Sequence, residues 1–247
     1  MHNFYKEQTL FRLWPDLWPI VMKKPRVWQA HTQRDCKWVN LNIPMEDKTM
    51  KHLVIAQYHT RQYPECEVVP NIIDIWDQKY QPRFMEGLLP MVVYSPSNVN
   101  LQGWDDKGYE PTKKALNELD RRGLIDFDMV IDVPHQQCML RKSLGEIGID
   151  EIITGSYHLC SLENLALGLA TIAHLDEQTR TAVFKVTGQH ILPWIDATKS
   201  TLLPTLMELI KDRKALMQKR RESRAWMEQH WDPKLLVHTF TRIYQQL

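Results

Sequence analysis

The chain has 247 residues and a mass of 29.3 kDa, enough for one large domain or two small ones. Hydrophobic residues make up 43% and charged residues 25%, which excludes a disordered chain, a collagen and a disulfide-stapled miniprotein. With 31 basic and 30 acidic side chains the formal net charge is +1, too low for a strongly basic nucleic-acid binder.

Residues 11–22 are apolar but carry Arg12, Pro15, Asp16 and Pro19. They read as a short buried or interfacial segment. Its Phe11, Leu13, Trp14, Leu17 and Trp18 either pack internally or form a dimer contact. Residues 27–31 (VWQAH), 52–57 (HLVIAQ) and 67–69 (EVV) read as three strands of a small α/β layer. Residues 90–94 (PMVVY) form a buried strand, and the polar stretch 95–106 follows it. Residues 111–122 have helical spacing, with Ala115, Leu116 and Leu119 on one face, Pro111 at the start and Gly123 at the end. A strand over 127–133, a helix over 135–144 and a short strand over 151–153 come next. A helix over 162–169, ended by Gly168, and a strand over 170–173 complete the pattern. Alternating strands and helices predict a parallel sheet covered on both faces. Ligands of such sheets bind beyond the carboxyl ends of the strands. Residues 202–224 read as one long helix. Residues 226–247 continue it after a break at Asp232-Pro233.

Cys36, Cys66, Cys138 and Cys160 form no C-x-x-C pair, so a structural zinc site is not expected. Scattered thiols suit a reducing compartment. The first residues lack the basic start, apolar core and small-residue site of a secretory signal. No run of about 18 apolar residues is present to span a membrane. The expected location is the cytoplasm, or a peripheral place on a membrane. Charge is uneven: residues 1–90 hold 12 basic and 10 acidic side chains, residues 91–200 hold 10 and 15, and residues 201–247 hold 9 and 5.

The most specific stretch is 149–173 (IDEIITGSYHLCSLENLALGLATIA). A strand runs into the loop Gly155-Ser156-Tyr157-His158. A helix starts near Ser161, whose hydroxyl suits an N-cap, and Glu163 falls in its first turn. Helix N-termini favour phosphates, and a carboxylate there can accept from two vicinal hydroxyls, as in a ribose. Alone, Glu163 reads better as an exposed first-turn acid favoured by the helix dipole.

Four segments in order resemble the nucleotide-binding half of GT-B glycosyltransferases of the group-1, or family-4, type. Residues 70–74 (PNIID) resemble the family's "P-N-G-hydrophobic-D". Residues 94–98 (YSPSN) with Lys107-Gly108 resemble "SP-x-N … KG". Residues 155–168 resemble "G-x-Y-G-x-x-x-x-E-x-x-A-x-G", and residues 231–247 resemble the closing helix. The match covers about residues 66–247. It implies an α/β GT-B-like fold, with two Rossmann-like parallel-sheet domains facing a cleft. Residues 1–85 would be a reduced acceptor-side domain and residues 86–230 the nucleotide-sugar domain. Residues 231–247 would be a helix packing back on the first domain.

The resemblance implies transfer of a hexose or pentose, with retention, from a UDP- or GDP-linked sugar. No metal or other cofactor is required. Glu163 matches the ribose ligand, and Lys107 matches the lysine that neutralises the leaving diphosphate. Asn98 and Ser97 would line the same loop. Gly155, Ser156, Tyr157 and His158 would sit near the donor sugar, beside the helix-start residues Ser161 and Leu162. His135 is either a loop histidine or a donor contact. His31 and His59 each follow a strand candidate, where the family often places a catalytic histidine. Trp14, Trp18, Trp28 and Trp38 read mainly as core, with one or two free to stack on a sugar or base.

The chain departs from the family at three places. Gly155 stands where many members carry a second glutamate, and His158 replaces the loop's second glycine. Residues 95–106 contain no arginine, leaving Lys107 alone or with Arg141 or another distant residue. The short first domain is either minimal or completed by a partner subunit. The run 211–224, with seven basic and two acidic residues, reads as a solvated helix face or as a contact for anionic lipid or DNA phosphates. The acceptor is thus a glycan, a lipid carrier or a modified DNA base of the phage type, the last placing the protein in a host cytoplasm. The alternatives are a non-catalytic sugar-nucleotide-binding accessory subunit and a nucleic-acid-binding protein on a degenerate GT-B core.

Overall fold

The computed structural model describes residues 16, 18–21, 23–31, 50–57, 63–96 and 108–247. After a helical turn at Trp18–Val21, strands β1 (Arg26–Ala30), β2 (Met50–Ile55) and β3 (Glu67–Val69) form a parallel sheet in the order β1-β2-β3. The register pairs Ala30 with Val54 and Ile55 with Val69. Strands β4 (Met91–Tyr94), β5 (Asp126–Met129), β6 (Ile147–Ile149) and β7 (Ala170–Ile172) form a second parallel sheet. Its order is β5-β4-β6-β7, extended by a bridge between Ile172 and Ile195. The chain places β5 on one side of β4 and β6 on the other. The strand order therefore reverses beside β4, the kind of switch point where open α/β sheets bind ligands.

Seven helices follow the second sheet's strands: α1 (Tyr109–Arg121), α2 (His135–Lys142), α3 (Leu159–Ala166), α4 (Glu177–Thr187), α5 (Leu202–Lys211), α6 (Arg213–His230) and α7 (Pro233–Gln245). One face of the sheet, including Val92, Ile147, Ile149 and Ile172, packs on Leu116, Leu119, Leu202 and Leu206 of α1 and α5. The other face carries α3 so closely that a Cβ on Gly148 would lie 2.5 Å from Asn164 Nδ2. Only glycine permits that approach.

The two sheets share a core. Ala56, Ile73 and Ile75 from the first half pack in one buried cluster with Tyr157, Leu162, Trp226 and Trp231 from the second. Helix α7 returns to the first sheet, where Ile243 and Phe240 meet Leu53, Val69 and Val27. Trp28 stands edge-on to His52 and against Tyr63. Trp14 and Trp38 lie outside the described residues. Among the described residues no helix is long and apolar enough to cross a membrane.

The structure corrects several sequence expectations. The strand expected at 151–153 is β6, four residues earlier, because the Glu151 carboxylate folds 151–156 into a loop. It accepts from Ile153 N, Thr154 N, Thr154 Oγ1 and Ser156 N at 2.7–3.1 Å. Helix α3 starts at Leu159 with His158 as N-cap. Ser161 is inside it, and its hydroxyl donates to Asp150 Oδ2 at 2.8 Å instead of capping. The long helix over 202–224 is two helices. Asp212 ends α5 and caps α6, accepting from Lys214 N and Ala215 N at 2.9 and 3.1 Å.

The basic run is not a uniform solvated or polyanion-facing surface. Arg213 pairs with Glu146 at 2.8 Å. Arg220 and Arg224 are buried and donate to backbone carbonyls of the segment joining the two sheets. Arg220 reaches Arg83 O at 2.7 Å and Met85 O at 2.8 Å, and Arg224 reaches Tyr80 O at 2.9 Å and Ile75 O at 3.1 Å.

Candidate functional site

The carboxyl ends of both sheets open on one cleft of about 820 Å³. His31 follows β1, Gln57 follows β2 and Asn71 follows β3 on one wall. Ser95 follows β4, Asp132 follows β5, and His158, Cys160 and Glu163 lie on the loop and helix after β6. A second cavity of similar size lies beyond His135, between the helical turn at Gln78 and α2. None of the buried carboxylates lines it.

Glu163 is the centre of the cleft's buried charge. It lies one turn into α3 and is only 4% exposed. Its Oε2 accepts from Lys142 Nζ at 2.8 Å, and its Oε1 meets His135 Nε2 at 2.7 Å. Lys142 ends α2 and is 1% exposed, donating also toward Cys160 O and Sγ at 3.3 Å. Burial pushes the Glu163 carboxyl up, but the charge and hydrogen bond of Lys142, with those of His135, hold it below the ordinary glutamate range. His135 is 57% exposed in its side chain. One carboxylate oxygen is therefore locked from within, and the other is shared with a side chain that solvent or a ligand reaches. Tyr80, from the segment joining the sheets, lines the cleft too, its hydroxyl pushed up to about 12 by burial and by the Glu163 charge.

A second buried carboxylate, Asp150, follows β6. Its Oδ2 accepts from His158 N at 2.6 Å and from Ser161 Oγ at 2.8 Å. His158 Nδ1 lies 3.3 Å from Asp150 Oδ1, too poorly aligned for a hydrogen bond. The two are a charge–ring pair at the cleft wall.

Of the residues expected from sequence, Glu163, His135, His158 and His31 line this cleft. Gly155, Ser156, Tyr157, Ser161 and Leu162 are buried behind it. Ser156 Oγ donates to Gln57 O at 2.8 Å, and Tyr157 packs against Trp194 and Trp231. Gly155 has φ +78, and a Cβ there would sit 2.9 Å from Asp176 Cβ. We expect Gly155→Ala to cost at least about 1–2 kcal/mol from the left-handed backbone alone. A lower denaturant midpoint at unchanged slope checks this. Lys107, Ser97, Asn98 and His59 lie outside the described residues. Arg141 is engaged by the Asp128 carboxylate and by Met129 O at 3.3 Å, so it is not a free partner for Lys107.

Sequence reasoning missed Lys142, Asp150 and Gln57. Gln57 donates to Tyr157 O at 2.5 Å across the joint between the halves. The acidic pair Asp150-Glu151 before a glycine loop was the only local signal among them. Among the described residues no group of three or more His, Cys, Asp or Glu side chains is placed to hold a metal ion.

No protein-family model matches the chain, and no curated protein matches it. Solved structures do. A glycosyltransferase from Rickettsia africae ESF-5 matches all of this chain and 83% of its own, with a TM-score of 0.59 at 10% identity. Sucrose-phosphate synthase from Thermosynechococcus elongatus matches 93% of this chain and 70% of its own, with a TM-score of 0.56 at 11% identity. WaaG, a glycosyltransferase involved in lipopolysaccharide biosynthesis, matches 97% of this chain and 84% of its own, with a TM-score of 0.51 at 11% identity. Two parallel sheets facing each other across a cleft, on a backbone shared with these glycosyltransferases, give the chain a GT-B fold.

Proposed function

We propose that the protein is a glycosyltransferase that moves a hexose or pentose, with retention, from a UDP- or GDP-linked donor. The observation that carries this reading is Glu163, a buried, ionised carboxylate at the switch-point cleft with one oxygen within reach of a ligand. A ribose diol suits that oxygen, taking the place of His135 or sharing with it. Donor binding in this orientation lays the diphosphate toward the N-terminus of α3, whose amides favour anions.

In the transfer step the C1–O bond to the diphosphate breaks and a C1–O bond to the acceptor forms on the same face of the sugar. The acceptor's hydroxyl proton passes to the departing phosphate oxygen. Lys107 meets the charge that develops there, with Ser97 and Asn98 in the same loop. His31, which lines the cleft, and His59 are the catalytic histidines of the first domain. Residues 1–85 receive the acceptor, which is a glycan, a lipid carrier or a modified DNA base. The reaction needs no metal, and the protein works in the cytoplasm or at a membrane surface.

Thermal stabilisation by nucleotides and nucleotide sugars tests the reading. At a ligand concentration of about 100 Kd the native state gains about 2.7 kcal/mol, a rise of about 5–10 °C for a chain of this size. We expect one nucleoside diphosphate and its sugar to give that rise, and Glu163→Gln to abolish it. An unchanged shift in Glu163→Gln removes the ribose assignment. Donor binding without transfer or hydrolysis marks the protein as an accessory subunit.

A further inference from the structure

The cleft carries an imidazole that the ribose site does not use. His158 is the N-cap of α3, with extended backbone at φ −118 and ψ 177. Asp150 fixes it twice, through the backbone N–H at 2.6 Å and beside the ring at 3.3 Å. Nδ1 is turned inward to that carboxylate, so Nε2 is the nitrogen that a ligand in the cleft can reach. Glu163 lies five residues further along, about 7.5 Å at 1.5 Å per residue. A ribose 5′-diphosphate bridges such a gap. The stretch 95–106 offers no arginine, and Arg141 is held by Asp128. Among the described residues that line the cleft none is a lysine or an arginine, so the groups there that can donate to a diphosphate include the imidazole of His158.

Resting on the donor-site reading above, we propose that His158 binds the diphosphate of the donor and makes the site select nucleoside diphosphates over nucleosides. The ring lies between two anions, Asp150 inside and the diphosphate outside. Nε2 donates toward the diphosphate, while Nδ1 stays beside the Asp150 carboxylate at 3.3 Å. Asp150 is the positioning residue, because it fixes the backbone and the ring together. Gly155 and Ser156, buried behind the loop, leave that side of the cleft to His158.

The test is calorimetric titration of the whole chain with uridine, UDP, guanosine and GDP. The wild type is expected to bind one diphosphate more tightly than its nucleoside. His158→Ala is expected to weaken that diphosphate by about 10–100-fold, the range of a charge-assisted hydrogen bond. It should leave the nucleoside unchanged. His158→Gln, which keeps a neutral donor, is expected to fall between. Glu163→Gln serves as the contrast and is expected to weaken nucleoside and diphosphate alike. Wild-type diphosphate affinity in a folded His158→Ala overturns the proposal, and so does an equal loss for nucleoside and diphosphate. If the wild type binds neither nucleoside nor diphosphate, the donor-site reading fails and takes this inference with it.

Discussion

Arg224→Met is expected to destabilise the protein by at least about 3 kcal/mol, while Arg221→Ala, three residues earlier on the same helix, changes stability by less than about 0.5 kcal/mol. The two residues carry the same charge and differ in where they point. Arg221 is exposed. Arg224 is 5% exposed, and its Nη1 donates to Ile75 O at 3.1 Å, Tyr80 O at 2.9 Å and Ala166 O at 2.7 Å. Ile75, Tyr80 and Ala166 are all buried, so water does not readily replace the lost donor. Each orphaned acceptor costs about 1–3 kcal/mol. Methionine keeps part of the packing, so the loss reports the hydrogen bonds. Thermal unfolding should show a fall of about 6 °C or more for the first variant. Equal melting points for the two variants would show that the joining segment does not depend on this clamp. The clamp also reaches the site, since it holds the carbonyl of Tyr80, whose ring lines the cleft beside Glu163.

The arginine clamp shows where sequence reading stops. A run of seven basic residues in fourteen suggests a charged surface, because residue type says nothing of the partner a tertiary fold supplies. Three of those residues turn inward because the segment over 70–90 has only a three-residue helical turn, Gln78–Tyr80, and its carbonyls need donors. The strands were legible for the opposite reason. The runs at 52–57, 67–69 and 90–94 each hold two adjacent β-branched residues, Val54-Ile55, Val68-Val69 and Val92-Val93, and the structure has β2, β3 and β4 there. Strand β6 was not legible as IGI because glycine weakens the strand signal, and the packing of Asn164 that demands it lies in another element. Helix α4 carries caps at both ends, Asp176 accepting from Thr179 N at 2.9 Å and Gly188 at φ 70, and sequence reading passed over it.

The candidate site divides the same way. Glu163 stands out by its motif, and His135, by its place after a strand, reads as either a loop histidine or a donor contact; the fold brings them to 2.7 Å. Lys142 does not stand out, because it lies 21 residues from Glu163 on a helix whose last turn favours a cation in any case. The shared core behind the cleft was also invisible. Nothing in the spacing of Gln57 and Ser156, 99 residues apart, announces that they meet. Together with the cluster around Trp226 and Trp231, that contact makes the joint between the halves part of the hydrophobic core.

Lys142→Met is the variant in which fold and site are least separable. The ammonium is buried, raised above the ordinary lysine range because Cys160 and Glu163 outweigh the lowering effect of burial. Removing it leaves Glu163 buried with, among the described residues, only the half-exposed His135 for a side-chain partner. Breaking such a pair costs about 3–5 kcal/mol at neutral pH. The pH dependence carries the sign. In the wild type the Glu163 carboxyl is held below its unfolded value, so its ionisation stabilises the fold above the ordinary glutamate range. That contribution is lost as pH falls through the depressed folded value. Without Lys142, burial dominates and moves the folded value up, so ionised Glu163 opposes folding at pH 7 and protonation relieves the cost. The gap in stability between wild type and Lys142→Met is therefore expected to narrow as pH is lowered from 7 to 5. Adding Glu163→Gln to Lys142→Met is expected to recover much of the loss at pH 7. Urea unfolding of the wild type and the two variants at both pH values measures all of this. A gap that stays constant with pH would mean that Lys142 contributes packing alone, and that some other group keeps Glu163 ionised for the ribose.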